Sequence, residues 1–179
     1  MQWLPKAARY NGVMSTDQAN LTEYENLWEK IEDVRVAMMT TSDKDGSLRS
    51  RPMYTQQAEF DGELWFFTAD DSGKVEEISQ EHQVNLNYAE PKSSLYVSVS
   101  GTAELVKDRS KIEELWSPML KAWFKGGIDD PHLALLRVRV SRAEYWDDTS
   151  SKMSQLVGMV KSALGSESYE SDEHGVLEL

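Results

Sequence analysis

Apolar residues first recur at helical spacing in Tyr24, Leu27, Trp28 and Ile31, and Thr22 and Glu25 stand three apart as a capping box, so the pattern predicts an amphipathic helix. From Val34 the period changes to two. Val34, Val36, Met38 and Thr40 alternate with Arg35, Ala37, Met39 and Thr41 up to a turn at Asp43-Lys44-Asp45-Gly46, and Leu48 to Thr55 reads as the return strand. Asp61-Gly62 is a second hairpin signal, because two-residue turns of the primed types need residues that tolerate positive φ, and Glu63 to Thr68 forms the next strand. Asp70-Asp71-Ser72-Gly73-Lys74 reads as a loop delivering a helix N-terminus, with Val75, Ile78 and His82 on the inner face of that helix.

Strand alternation resumes at Val84, Leu86 and Tyr88. The longest β pattern follows, with Leu95, Val97, Val99, Gly101, Ala103 and Leu105 on one face and Tyr96, Ser98, Ser100, Thr102 and Glu104 on the other. Gly101 in its middle predicts a bend or bulge. Asp108 is placed to cap a helix carrying Ile112, Leu115 and Trp116, and Pro118 to restart a second helical piece carrying Met119, Leu120, Trp123 and Phe124. Leu133 to Val140 gives a final long strand, followed by Ala143-Glu144-Tyr145-Trp146, and Lys152 to Leu164 has helical spacing. Strands joined by short turns, with few intervening helices, exclude a doubly wound parallel sheet and point to a closed or partly closed antiparallel barrel. The expected organisation is an arm over residues 1–20, one domain over 21–148, and a C-terminal helix and acidic tail over 149–179.

Composition narrows the function classes. Six Trp, seven Tyr and four Phe are enough to fill one core in a chain of 179 residues. The chain has no cysteine, so disulfides, thiolate metal sites and cysteine nucleophiles are excluded, and a cytoplasmic location is the default expectation. No apolar run reaches membrane-spanning length, so no membrane partner is expected. The formal net charge of −12 repels a phosphate backbone, so nucleic acid is not an expected partner. Glu167 to Glu178 carries no Lys or Arg and reads as a solvated tail.

Against that acidity, Arg49-Ser50-Arg51-Pro52-Met53 is the densest basic point. Alternation places Arg49 and Arg51 on one strand face, where they read either as two guanidinium groups converging on an anion or as a solvated surface. The Asp70–Lys74 loop reads either as an anion cradle or as a plain helix cap. In the first case Ser72 gives a hydroxyl, Gly73 close backbone approach, Lys74 a charge and the helix start free N–H groups, provided Asp70 and Asp71 point away. His82, His132 and His174 have no metal-ligand spacing around them, and no metal site is expected. Trp116, Trp123 and Trp146 could stack on an aromatic ligand or simply fill the core.

Taken in order, Ser50-Arg51-Pro52-Met53, Leu64-Trp65-Phe66-Phe67-Thr68, Ser72-Gly73-Lys74, Val97-Ser98-Val99-Ser100-Gly101-Thr102-Ala103-Glu104, Trp116-Ser117-Pro118-Met119, Trp123-Phe124-Lys125-Gly126-Gly127-Ile128-Asp129-Asp130-Pro131 and Glu144-Tyr145-Trp146 resemble the general stress protein branch of the pyridoxamine 5′-phosphate oxidase-like, FMN-binding split-barrel proteins. The resemblance covers roughly residues 20 to 148. It implies a mainly β (α+β) fold, a six-stranded antiparallel split β-barrel with Greek-key connections and peripheral helices, and a homodimer with FMN between the subunits. By position, Arg51, Ser72 and Lys74 match the family's phosphate-binding residues. Pro52 and Phe67 belong to the same cofactor-binding segments, and Met53 and Thr68 match positions whose backbone faces the isoalloxazine. Trp146 matches an aromatic beside the flavin of the partner chain, and strand alternation adds Arg49.

Two departures stand out. Gly73 replaces an Arg of the oxidase, and the oxidase's Arg-Leu-His-Asp-Arg substrate motif has no counterpart after Trp146, which argues against vitamin B6 oxidation. The expected function is a flavin-dependent oxidoreductase linked to stress response, with an unassigned small-molecule redox partner and no nameable catalytic acid or base. A non-catalytic FMN carrier, or a split barrel using F420 or haem, is the alternative.

Overall fold

The computed structural model describes residues 25–56, 60–147 and 174–178. The expectations for the N-terminal arm, for Thr22 as a cap and for a helix over Lys152–Leu164 lie outside the described residues. Helix α1 (residues 25–31) buries Leu27 and Ile31 completely, as their helical spacing requires, and stacks Trp28 on Phe60 at 6.5 Å between ring centroids. Strands β1 (Val36–Ser42) and β2 (Leu48–Tyr54) then form the expected hairpin, in which Gly46 takes φ +80° and donates to the Asp43 carbonyl at 2.8 Å.

Strands β3 (Glu63–Ala69), β4 (Gln83–Glu90), β5 (Leu95–Val106) and β6 (Leu133–Asp147) complete an antiparallel sheet in the order β2-β1-β4-β5-β6-β3. β3 lies beside β6 rather than beside β4, which is a Greek-key order. The two ends of the sheet meet at one bridge, Thr55 to Phe66, and the Gln56 N–H donates to the Trp65 carbonyl at 3.0 Å. The result is a mainly β split barrel. Asp61-Gly62 does turn the chain, with Gly62 at φ +96°, but β2 and β3 share that single bridge and no hairpin ladder.

Two cores follow from the strand faces. Inside the barrel, Phe66, Met39, Leu86, Tyr88, Val99 and Val138 pack with Leu27 and Ile31. Outside it, Trp65, Phe67, Leu133 and Leu135 pack under helix α3 (Arg109–Leu115) and two 3₁₀ turns at Pro118–Ala122 and Gly127–Asp129. β3 is therefore buried on both faces, and its run Leu64-Trp65-Phe66-Phe67 is continuous rather than alternating for that reason. Asp108 caps α3 as predicted, its carboxylate accepting from the Ser110 and Lys111 N–H groups at 2.9 and 3.4 Å.

Three further sequence expectations need correction. Helix α2 (Gly73–Gln80) stops before His82, because Glu81 is extended; His82 is exposed, and its carbonyl accepts from the Ala103 N–H at 2.8 Å. β6 continues past Val140 to Asp147. Ser100 pairs with Arg142 and Gly101 with Val140, so Ser141 is an extra residue that shifts the alternation and hides the second half of the strand. Finally, His174–Glu178, inside the stretch expected to be a solvated tail, is a strand, β7, paired antiparallel with Arg142–Trp146. It covers β6 beyond the point where β3 ends opposite Arg139.

Candidate functional site

Alternation on β2 turns Arg49, Arg51 and Met53 toward the barrel end and Ser50, Pro52 and Tyr54 outward. On β3 it turns Thr68 inward and Phe67 and Ala69 outward. Between the two strands, which hardly pair, a cleft of ≈ 440 Å³ opens against Lys74 and the segment carrying Met119, Leu120, Trp123 and Phe124. That volume falls within the range of small-molecule sites. Pro52, Met53, Phe67, Thr68 and Lys74, all predicted from sequence, line it, together with Val36, Tyr54, Gln56 and Ala69, which were not.

Lys74 is the charged group among the described residues that line the cleft. It is half-buried and has neither a hydrogen-bond nor an ion-pair partner among the described residues. Burial, with the Arg51 guanidinium nearby, pulls its ammonium below the ordinary lysine pKa, while Glu77 acts in the opposite direction. Ser72 occupies the N-cap position of α2, yet its side chain makes no capping bond; its Oγ lies 3.3 Å from Thr68 Oγ1. A Cβ at Gly73 would meet nothing within 4 Å, so the glycine is not required by a close approach of the protein itself.

Arg51 lies beside this group rather than in the cleft lining. Its Nη2 donates to Glu77 Oε2 at 2.7 Å, and its Nη1 donates to Thr41 Oγ1. Arg49 does share the Arg51 face, but 62 % of its side chain is exposed; it pairs with Asp43 at 2.8 Å and reaches Glu77 only at 3.9 Å. The two guanidinium groups thus converge on an anion that the protein itself supplies. Asp70 and Asp71 point away from the cleft, toward His132 at 2.9 and 3.6 Å, and Asp70 also accepts from Lys107. These contacts lower the Asp70 pKa through the Lys107 and His132 hydrogen bonds and raise that of His132 through Asp70. The imidazole therefore sits beside two carboxylates, a cluster that sequence spacing did not reveal.

The three tryptophans separate. Trp116 packs edge-on against Phe67 at 5.8 Å, in the outer core. Trp123 lines the cleft with 68 % of its surface exposed. Trp146 sits near the end of β6, opposite Tyr96 of β5, and does not line the cleft of its own chain.

A split barrel of this kind has known relatives. The family model for pyridoxamine 5′-phosphate oxidase-like proteins fits residues 22–170. The chain belongs to that family. Protein bli-3 of Neurospora crassa is 32% identical over 164 residues, covering 82% of this chain and 78% of the relative. Among solved structures, a protein assigned to general stress protein 26 from Jannaschia sp. CCS1 superposes with TM-score 0.69 at 27% identity, covering 90% of this chain and 99% of the other. The general stress FMN/FAD binding protein of Xanthomonas citri gives 0.63 at 32% identity, covering 72% of this chain and 90% of the other.

Proposed function

We propose that this family member binds FMN in the cleft, holding its phosphate with Lys74, Ser72 and Arg51, and that it acts as a flavin-dependent oxidoreductase in the cytoplasm as a homodimer. The observation that carries the reading is Lys74: a half-buried cation without a hydrogen-bond or ion-pair partner among the described residues, at one end of an otherwise apolar slot, suits a ligand with a flat apolar ring and an anionic tail. The Ser72 hydroxyl, unused as a cap, and the α2 N-terminus lie beside it. Pro52, Met53, Phe67 and Thr68 form the walls for the ring. Bound there, the flavin would supply the redox chemistry, and the chain's own part is to hold, orient and shield it.

The homodimer is supported by the sheet's outer face. Where β2, β1, β4 and β5 lie side by side, the outward positions carry no Asp, Glu, Lys or Arg, in a chain that is 28% charged. Ser50, Thr40, Asn85 and Ser100 form one row and Pro52, Met38, Asn87 and Ser98 the next, bordered on β6 by Arg142 and Glu144, which pair with each other at 2.8 Å; beyond them lie Tyr54 opposite Val36 and Tyr96 opposite Trp146. Depletion of charge on a broad exposed face marks an interface core. The cleft takes Val36, Pro52 and Tyr54 from one end of this face, and Trp146 lies at the other. A twofold axis through the middle sets unlike ends together, and so would bring the partner subunit's Trp146 to the cleft.

The test of activity is to mix FMN-loaded protein with NADH or NADPH without oxygen and follow flavin bleaching. Rapid reduction by either nicotinamide is expected; none with both would replace the oxidoreductase with a flavin carrier.

A further inference from the structure

α2 carries two adjacent carboxylates with opposite surroundings. Glu76 is exposed and pairs with Lys44 at 2.6 Å. Glu77 is 7 % exposed, accepts from Arg51 at 2.7 Å and from the Thr41 hydroxyl, and lies 3.9 Å from Arg49. Thr41 is itself buried and accepts from Arg51, so carboxylate, hydroxyl and guanidinium close a ring of hydrogen bonds. A buried negative charge next to cations that would hold a phosphate works against that phosphate, since it lowers the positive potential the ligand meets.

We propose that Glu77 is a specificity-determining residue of the site, a resident counter-anion that competes with the ligand's phosphate for Arg51 and so sets its affinity, while keeping the ligand-free protein stable. This rests on the FMN reading above. Without ligand, Arg51 is largely buried and needs a counter-charge, which Glu77 provides. With a phosphate present there are two anions for the same guanidinium, and Glu77 opposes the second. A carboxylate whose role was only to orient Arg51 would have the opposite effect, because its loss would weaken phosphate binding. The sign of the effect therefore decides between the two.

The experiment compares Glu77→Gln with wild type in flavin fluorescence titrations with FMN and riboflavin, and in thermal melts with and without inorganic phosphate. Glu77→Gln keeps the shape and removes the charge. FMN affinity should rise about tenfold, riboflavin affinity should change less than about twofold, the melting temperature of the empty protein should fall, and stabilisation by inorganic phosphate should grow. Arg51→Gln/Glu77→Gln, which replaces the ion pair by a neutral amide pair, guards against a single variant that does not fold. It should bind FMN more tightly than Arg51→Gln alone, because the buried Glu77 charge also lowers the potential at Lys74 directly. FMN affinity that is unchanged or lower in Glu77→Gln, or no higher in the double variant than in Arg51→Gln, overturns the proposal. A wild type that binds no FMN overturns the functional reading and this proposal together.

Discussion

Lys74→Ala should weaken FMN binding by between about tenfold and a hundredfold and leave riboflavin binding within about threefold of wild type. The magnitude is that of one charge-assisted hydrogen bond, about 1.5–3 kcal/mol. The selectivity follows from where Lys74 stands. It is the charged group of the cleft, at the start of α2, while the walls that would face the ring are Pro52, Met53, Phe67 and Thr68. Among the described residues the ammonium has no hydrogen-bond or ion-pair partner, so its removal leaves none of them unsatisfied and the variant should fold as the wild type does. Arg51→Ala should show the same preference for losing FMN, but it also strands the buried Glu77 carboxylate and should therefore lower the melting temperature as well. Parallel titrations with the two flavins are the measurement, and equal losses for FMN and riboflavin would remove Lys74 from the phosphate site.

The largest effect on stability should come from Gly101→Ala. A Cβ there would lie 2.3 Å from the Arg139 carbonyl oxygen and 3.0 Å from Val138 Cγ1. The first of these contacts is with backbone of the neighbouring strand, at the register shift where β6 carries its extra residue, so relief requires β5 and β6 to separate at the centre of the barrel. We expect a loss of about 3 kcal/mol or more in chemical denaturation. Gly73→Ala is the control. Its Cβ meets nothing and the position is in a helix, so that variant should be neutral or more stable by up to about 1 kcal/mol. A Gly101→Ala protein as stable as the wild type would show that the bulge does not hold the two strands in contact.

Local features were readable from the chain: the alternation of β1, the Gly46 turn and the Asp108 cap each depend on residues close in sequence, whereas Gly101 marks an irregularity whose extra residue lies on β6. What escaped depends on distant partners. Glu77 looks like any helix-surface acid until Thr41 and Arg51, on two different strands, close over it. Arg49 and Arg51 do share a face, but the sequence does not reveal that the anion between them is internal. The second half of β6 was obscured by one bulged residue, and β7 by being only five residues long within an acidic stretch. Trp123 and Trp116 have the same local character, yet one lines the cleft and the other the outer core. The uncharged outer face was present in the alternation of four separate strands, and it becomes one surface only when the sheet order places them side by side.

A phosphate-anchored flavin site made by two chains can be isolated in a defined heterodimer. One chain carries Lys74→Ala and the other Trp146→Ala, the two bear different affinity tags, and the complex is purified through both. In a shared site one cleft keeps Lys74 and receives an intact Trp146 from its partner, while the other loses both. About half of the sites should then bind FMN with wild-type affinity, although neither parent homodimer does. A heterodimer with no wild-type site, or a Trp146→Ala homodimer that binds FMN as well as the wild type, would rule out a flavin site shared between subunits.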